Sequence, residues 1–216
     1  MKRRTIKVAA LLSGGGTSLQ NIIDRSEAGE LDAEVSVVIS SREDAHGLKR
    51  AKKHDIPAIA VPSWEYKGFG AHSKAVFAEL EKHPFDLIVM AGYMCLLVIS
   101  EEYRGKVMNI HPALIPAFSG KGMYGRIVHE SVIHYGSKVS GCTVHFADNQ
   151  YDHGPIIIQR VCPVNDDDTP ETLAQRVQEL ERQAYPEAIQ LFAEGRLKIE
   201  GRRVRILPPA EEEYPQ

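Results

Sequence analysis

Val107-Met108-Asn109-Ile110-His111-Pro112 reads as a short strand closed by a proline. Alternate residues of a strand point to the same side, so Val107, Asn109 and His111 share one face and Met108 and Ile110 the other. Asn109 and His111 then lie two strand steps apart, roughly 7 Å. The first carries an amide that donates hydrogen bonds. The second is the side chain best suited to proton transfer near neutral pH. Pro112 has no N–H and discourages further pairing, which puts the pair where the sheet ends. Open α/β sheets hold their ligands at the carboxyl ends of strands. A polar strand end bonded to a neighbouring loop would read the same way, so the stretch needs its context.

Outward from it, strand and helix patterns alternate. Ile6–Leu12 is a short apolar strand, followed by the loop Ser13-Gly14-Gly15-Gly16 and a helix with Leu19, Ile22 and Ile23 at i, i+3, i+4 spacing. Ala33–Ser40 is a valine-rich second strand. A basic helix runs from Arg42–Asp44 to about His54. Ile56–Val61 is a third strand, with Pro57 marking an early or edge position. Pro62–Gly70 is loop, and Ala71–Lys82 a helix with Val76, Phe77 and Leu80 as its apolar stripe. Leu87–Ala91 is apolar throughout, as expected of a strand covered on both faces. The order implies a largely parallel sheet with helices on both sides and a Rossmann-like N-terminal half.

The second half changes character. Ala117–Gly125 is a glycine-rich loop, and Arg126–Tyr135 a helix ended by Gly136. Val139–Ala147 and Pro155–Pro163 alternate strongly, with Cys142, Val144 and Phe146 on one face and Thr143 and His145 on the other. The short connection 148–154 makes them a hairpin-like pair, so the sheet turns mixed. Thr169 caps a long helix with Pro170 at its first position. It runs to about Glu194, bends near Pro186 and stops at Gly195. Leu197–Ile206 is a last hairpin around Gly201. Leu207–Gln216 is a loose, acidic tail. No repeat or composition shift marks a boundary, so 1–216 reads as one domain: a phosphate-binding half at about 5–100, a catalytic half at about 101–206, and the tail.

Composition bounds the partners. The 216 residues are 43% hydrophobic and 25% charged, with net charge -3, which gives no reason to expect nucleic acid. No apolar run is long enough to span a membrane. Met1-Lys2-Arg3-Arg4 before an apolar run imitates a signal peptide, but the run is short and lacks a cleavage pattern. Cys95, Cys142 and Cys162 are widely spaced without CxxC, which fits a reducing cytoplasm and argues against a cysteine zinc site. The nine histidines show no HxxxH or HExxH arrangement, so no metal is expected.

Several constellations point to chemistry. Ser13-Gly14-Gly15-Gly16-Thr17-Ser18-Leu19 sits between a strand and a helix, where free N–H groups and the helix dipole form a phosphate cradle. It is neither a P-loop nor a GxGxxG match, since Leu19 stands where the third glycine belongs. Tyr151-Asp152-His153-Gly154-Pro155 places Asp152 as a partner for His111, although a simple turn has the same composition. His145 lies on the strand leading to it. Cys95, in Gly92-Tyr93-Met94-Cys95-Leu96-Leu97, reads as a buried residue.

Taken together, Asn109-Ile110-His111-Pro112, Asp152 before Gly154-Pro155, and the 13–19 loop resemble the phosphoribosylglycinamide formyltransferases. So do Asp86–Met94, Gly141–Phe146 and Ala184–Leu197, and the resemblance covers roughly residues 5–208. It implies the single-domain formyltransferase fold, α/β with the mixed sheet described above. It also implies formyl transfer from 10-formyltetrahydrofolate, a co-substrate, to the amine of glycinamide ribonucleotide in cytoplasmic purine biosynthesis. No metal, nucleic acid or membrane is implied, and the chain would be a monomer or homodimer. Asn109, His111 and Asp152 take the family's catalytic positions. Gly16, Thr17 and Ser18 take the phosphate contacts, and Gln178 and Glu181 the other ribonucleotide contacts. The folate pocket falls on Met94, Cys95, Leu96 and Leu97 and on Asp148, Asn149, Gln150, Tyr151 and Asp152, with Asn109 between.

There are departures from the family pattern. Many members have arginine where Cys95 stands, and a folate-binding arginine before the third helix has no clear match around His72-Ser73. The loop Phe118–Arg126 is longer than in many members and offers Lys121 and Arg126 as contacts to folate or substrate. Formyltetrahydrofolate hydrolase, a formyltransferase with another acceptor, and a non-catalytic nucleotide-binding module are the alternatives. Methionyl-tRNA formyltransferase normally carries a further basic domain.

Overall fold

The computed structural model describes residues 4–209. The first three residues, which open the basic stretch before the first strand, and most of the expected acidic tail lie outside the described residues.

One nine-stranded sheet carries the fold. Its strands are β1 (Ile6–Leu12), β2 (Ala33–Ser40), β3 (Ala58–Ala60), β4 (Leu87–Met90), β5 (Val107–His111), β6 (Val139–Phe146), β7 (Ile156–Pro163), β8 (Leu197–Glu200) and β9 (Arg203–Ile206). They lie in the order β3-β2-β1-β4-β5-β6-β7-β9-β8. Pairing is parallel from β3 to β5, antiparallel between β5, β6 and β7, parallel from β7 to β9 and antiparallel within the last hairpin. The mixed sheet thus begins where the 139–163 hairpin joins β5, as its alternation predicts.

Five helices cover the two faces: α1 (Thr17–Glu27), α2 (His46–Lys53), α3 (Gly68–Leu80), α4 (Arg126–Tyr135) and α5 (Pro170–Ala193). Val8, Ala10 and Leu12 of β1 face a core that includes Leu19 and Ile22 of α1, Leu48 of α2, Val132 of α4 and Leu173 and Tyr185 of α5. Ala9 and Leu11 face the opposite core, with Val76, Phe77 and Leu80 of α3. Both faces of the central strands are therefore dry, which is why β4, and β1 from Val8 onward, read as apolar runs.

Local signals explain most boundaries. Thr169 caps α5 in a reciprocal pair with Thr172, with Pro170 at the first helical position. Gly136 ends α4 in the left-handed conformation, φ 78. Pro186 lies inside α5, and the helix continues through it to Ala193. Tyr185 beside it is fully buried, and its hydroxyl reaches Met90 O (3.1 Å) and Met108 O (3.0 Å), tying α5 to β4 and β5.

Three expectations are corrected. The second helix starts at His46, not at Arg42–Asp44, because the Arg42 guanidinium folds back onto Asp44 with two bonds of 2.9 Å and holds a turn. The third strand is shorter than Ile56–Val61; only Ala58–Ala60 pair with β2, since Pro57 lacks an N–H and the strand is at the sheet edge. The third helix begins at Gly68 rather than Ala71, and a 3-10 turn at Ser63–Glu65 occupies part of the expected loop.

Chain direction sets the site. From β1 the chain moves to β2 and β3 on one side, then returns to β4 on the other, so β1 and β4 border a topological switch point. The loops 13–16 and 91–94 leave adjacent strands there and are joined by Ser13 N–H to Gly92 O (3.0 Å) and Met94 N–H to Ser13 Oγ (2.9 Å).

Candidate active site

Asn109 and His111, at the carboxyl end of β5, both line a cavity of about 710 Å³. The loop between β6 and β7 brings Asp152 to them. The Asp152 carboxylate stands 3.5 Å from His111 Nδ1 through Oδ2 and accepts from Asn109 Nδ2 at 3.4 Å through Oδ1. It also accepts the Gly120 N–H at 2.9 Å, so it pins the glycine-rich loop as well. Asp152 takes a left-handed backbone, φ 51, which a non-glycine residue holds only when its surroundings impose it. Asp152 lies in a turn, and its carboxylate reaches from that turn to Asn109 and to the glycine-rich loop.

Gly154 fixes this loop. A Cβ there would fall 1.8 Å from Phe146 O, so the backbone lies flat against the end of β6. Gly154→Ala is expected to cost about 3 kcal/mol of stability through overpacking. Thermal melting checks this, with activity falling in parallel because Asp152 is displaced.

His111 is 3% exposed. Its Nε2 donates to Phe118 O at 2.8 Å while Nδ1 faces the carboxylate. Both ring nitrogens thus face acceptors. His145 is different. Its Nδ1 donates to Phe146 O (2.9 Å), leaving Nε2 as an acceptor for the Asn109 amide at 3.2 Å. Burial pushes the His145 pKa down, against the pull of Asp152, and keeps the ring neutral. His145 orients Asn109, a partner that the alternation of its strand does not specify.

The expected ribonucleotide contacts come together. Thr17 and Ser18 at the start of α1 border one small recess with Gln178 and Glu181 of α5, and Ser18, Gln178 and Glu181 also line the large cavity. Gly16 is the left-handed N-cap of α1, φ 72, packed so closely that a Cβ would lie 2.7 Å from Gly47 Cα. Its role in the structure is to let α1 start against α2. Glu181 is half-buried and makes no hydrogen bond or ion pair among the described residues. Burial pushes its pKa up to about 7, with Arg182 opposing. It is not a solvated helix face.

The expected folate residues divide. Cys95, Leu96, Leu97, Asp148, Gln150 and Tyr151 border a second recess of about 50 Å³, which Asn109 and Asp152 separate from the large cavity. Met94 lines the large cavity instead and is 53% exposed. Asn149 points away: its amide brackets the Ile99 backbone at 2.6 and 3.1 Å, so its part is to hold the loop. Cys95 is half-buried rather than a core residue.

Over the large cavity hang Lys121 and Arg126 from the glycine-rich loop. Arg126 is occupied by Glu130 and Glu171, both at 2.5 Å. Lys121 has no ion pair among the described residues. Tyr93 and His129 also line the cavity. Tyr93 falls within the Asp86–Met94 stretch, whereas His129 belongs to no recognisable motif and only the fold brings it there. No cluster of three potential metal ligands occurs among the described residues, and no described helix is long and apolar enough to cross a membrane.

An imidazole, an amide and a carboxylate around one cavity at the switch point suit acyl transfer to an amine. Residues 6–189 match the formyl transferase family model. The chain belongs to the formyl transferase family. It is 38% identical over 195 residues to the phosphoribosylglycinamide formyltransferase of Haemophilus influenzae, covering 89% of this chain and 90% of that protein. It is 37% identical to the chloroplastic phosphoribosylglycinamide formyltransferase of Vigna unguiculata, covering 90% of this chain but only 63% of that one. Among solved structures, glycinamide ribonucleotide transformylase 1 of Symbiobacterium toebii superposes with a TM-score of 0.88 at 42% identity, over 96% of both chains. The formyl transferase fold expected from the motifs is thus present.

Proposed function

We propose that this chain transfers the formyl group of 10-formyltetrahydrofolate to the amine of glycinamide ribonucleotide, with Asn109, His111 and Asp152 as the catalytic residues. The observation that carries the reading is the meeting of these three side chains in one cavity that also reaches Ser18, Gln178 and Glu181.

The amine nitrogen attacks the formyl carbon, and negative charge gathers on the formyl oxygen. Preorganised donors aimed at that oxygen lower the barrier. His111 supplies one through a ring N–H and Asn109 the other. The Asn109–Asp152 bond, at 3.4 Å, is at the long limit and is the one that yields to the oxyanion. The His111–Phe118 bond also exchanges for substrate, which requires the glycine-rich loop to shift. Collapse breaks the bond to the folate nitrogen, and the proton lost by the amine ends on that nitrogen, with Asp152 as the nearest relay.

The phosphate lies at the start of α1, near Thr17 and Ser18, where free N–H groups and the dipole favour an anion. Glu181 accepts from the ribose hydroxyls. The folate ring occupies the side of Leu96, Leu97 and Tyr151. The recess there opens further to admit it, since about 50 Å³ is too small for a fused bicyclic ring. The substrates are small molecules, the site lies in one chain, and the reaction is placed in the cytoplasm.

Two outcomes are expected at the periphery. Glu181→Gln should raise KM for the ribonucleotide about tenfold, the loss of one charge-assisted hydrogen bond. The same change should stabilise the unliganded protein at high pH. The folded pKa of Glu181 lies above its ordinary 4.5, so the native state binds the extra proton and stability falls as pH rises from 4.5 to about 7. Thermal melting at pH 5 and pH 8 should show the variant gaining only at pH 8. Lys121→Ala should raise KM for one substrate severalfold with kcat little changed, as steady-state kinetics will show; no change in either KM removes Lys121 from the site.

A further inference from the structure

The three glycine carbonyls of the 13–16 loop are all engaged, and the three N–H groups are not. Gly14 O accepts the Gly47 N–H at 3.0 Å, and Gly16 O accepts the Gln20 N–H at 2.9 Å. Between them, Gly15 O accepts Arg50 Nε at 2.9 Å. The N–H groups of Gly14, Gly15 and Gly16 make no hydrogen bond among the described residues. The opening N–H groups of α1 have no earlier turn to bond. Successive free N–H groups with their oxygens held elsewhere make an anion-binding concavity. Residues of α2 hold two of the three carbonyls. A carbonyl released from α2 could rotate inward and set its partial negative charge against the anion.

Arg50 is itself held in place. It is half-buried on α2, and its Cδ lies 3.5 Å from where a Cβ on Gly16 would stand. Its Nη1 donates to Gln20 Oε1 at 3.2 Å. The Gln20 amide nitrogen donates to Asp24 Oδ1 at 2.8 Å and to His54 Nε2 at 3.0 Å. A ring nitrogen that accepts leaves the proton on the other, so His54 Nδ1 donates to Glu27 Oε1 at 2.7 Å. This chain of side chains, from Glu27 to the loop, ties α1 to α2 and fixes the guanidinium.

Its charge is not spent on a carboxylate. Arg50 makes no ion pair among the described residues, and its Nη2 makes no hydrogen bond among them. Arg182, at the recess of Thr17 and Ser18, is by contrast paired with Glu179. In sequence, Arg50 belongs to a basic run with Lys49, Lys52 and Lys53, which reads as a solvated face. Those three lysines are exposed, and Arg50 alone of the four turns inward to the loop.

We propose that Arg50 is a positioning residue for the phosphate of the acceptor. It holds the Gly15 carbonyl outward, so that the loop presents donors alone, and its uncompensated charge makes the potential at the cradle more positive. Selectivity for a phosphorylated over an unphosphorylated acceptor is then set from α2, outside the helix whose N-terminus meets the anion. The proposal rests on the placement of the phosphate at the start of α1 argued above.

The test is steady-state kinetics on Arg50→Met, which keeps the stem on Gly16 and removes both bonds and the charge. KM for the ribonucleotide should rise about tenfold, with kcat and the KM for the formyl-folate little changed. The riboside lacking the phosphate is the control, and the preference for ribonucleotide over riboside should fall by the same factor. Arg50→Lys should recover part of the loss, since the charge returns without the fork. Gln20→Leu, which removes only the brace, should raise the same KM by less. If Arg50→Met does not fold, these two variants carry the comparison. An unchanged KM for the ribonucleotide in a folded variant overturns the proposal. So do equal losses on ribonucleotide and riboside, which make Arg50 a structural brace. Binding is read separately as the rise in melting temperature with ribose 5-phosphate, which should be smaller in Arg50→Met than in wild type. A wild type that turns over nothing, yet shows this Arg50-dependent protection, keeps the proposal and overturns the formyl transfer. No turnover and no such protection overturns both.

Discussion

His111→Ala should lower kcat by about 10²–10⁴-fold while KM for either substrate changes little. The size follows from two roles ending together. The ring is the donor for the developing oxyanion and the acid for its collapse. It is held by Phe118 O on one nitrogen and the Asp152 carboxylate near the other. Position, more than identity, sets the effect: a 3% exposed ring at a strand end has almost no freedom to misalign. Stability should fall modestly, because the side chain fills a partly polar wall rather than the core. Steady-state kinetics with circular dichroism separates the two. A kcat within threefold of wild type would remove His111 from the chemistry.

Asp152→Asn should cost about 10²–10³-fold in kcat. Asparagine is chosen because φ is 51 and asparagine tolerates the left-handed region, whereas alanine would add strain of its own. The amide oxygen can still accept the Gly120 N–H, now at 2.9 Å, so the loop stays pinned. What disappears is the negative charge facing His111 Nδ1 and the acceptor that relays the proton. Melting temperature should therefore stay close to wild type while turnover collapses. If both properties fall together, Asp152 is a structural clamp and not a catalytic group.

The chain's architecture was legible because its local signals agree. The apolar runs of β1 and β4, the alternation of β6 and β7, Thr169-Pro170 and Gly136 all mark elements that the structure contains. Boundaries failed where a side-chain contact intervened, as when Arg42 closed on Asp44 and delayed α2. The site was legible in part. Asn109, His111 and Asp152 carry motif signals, and their meeting follows from the β5–β6–β7 pairing. Glu181 was singled out in the sequence, but its depth depends on how α5 packs over the sheet, which periodicity does not encode. The supporting groups were hidden. His145 looks like any inward strand residue until its tautomer is fixed by Phe146 O. Asn149 was placed at the pocket by the family resemblance, and the sequence gives no sign that its side-chain amide is taken up by the Ile99 backbone.

The central claim is tested most directly by mixing the purified protein with 10-formyltetrahydrofolate, with and without glycinamide ribonucleotide, and following the absorbance of the tetrahydrofolate product. The account predicts product only when the ribonucleotide is present. Product without it would mean water is the acceptor and the chain is a hydrolase. No product in either mixture would contradict the assignment of both substrates.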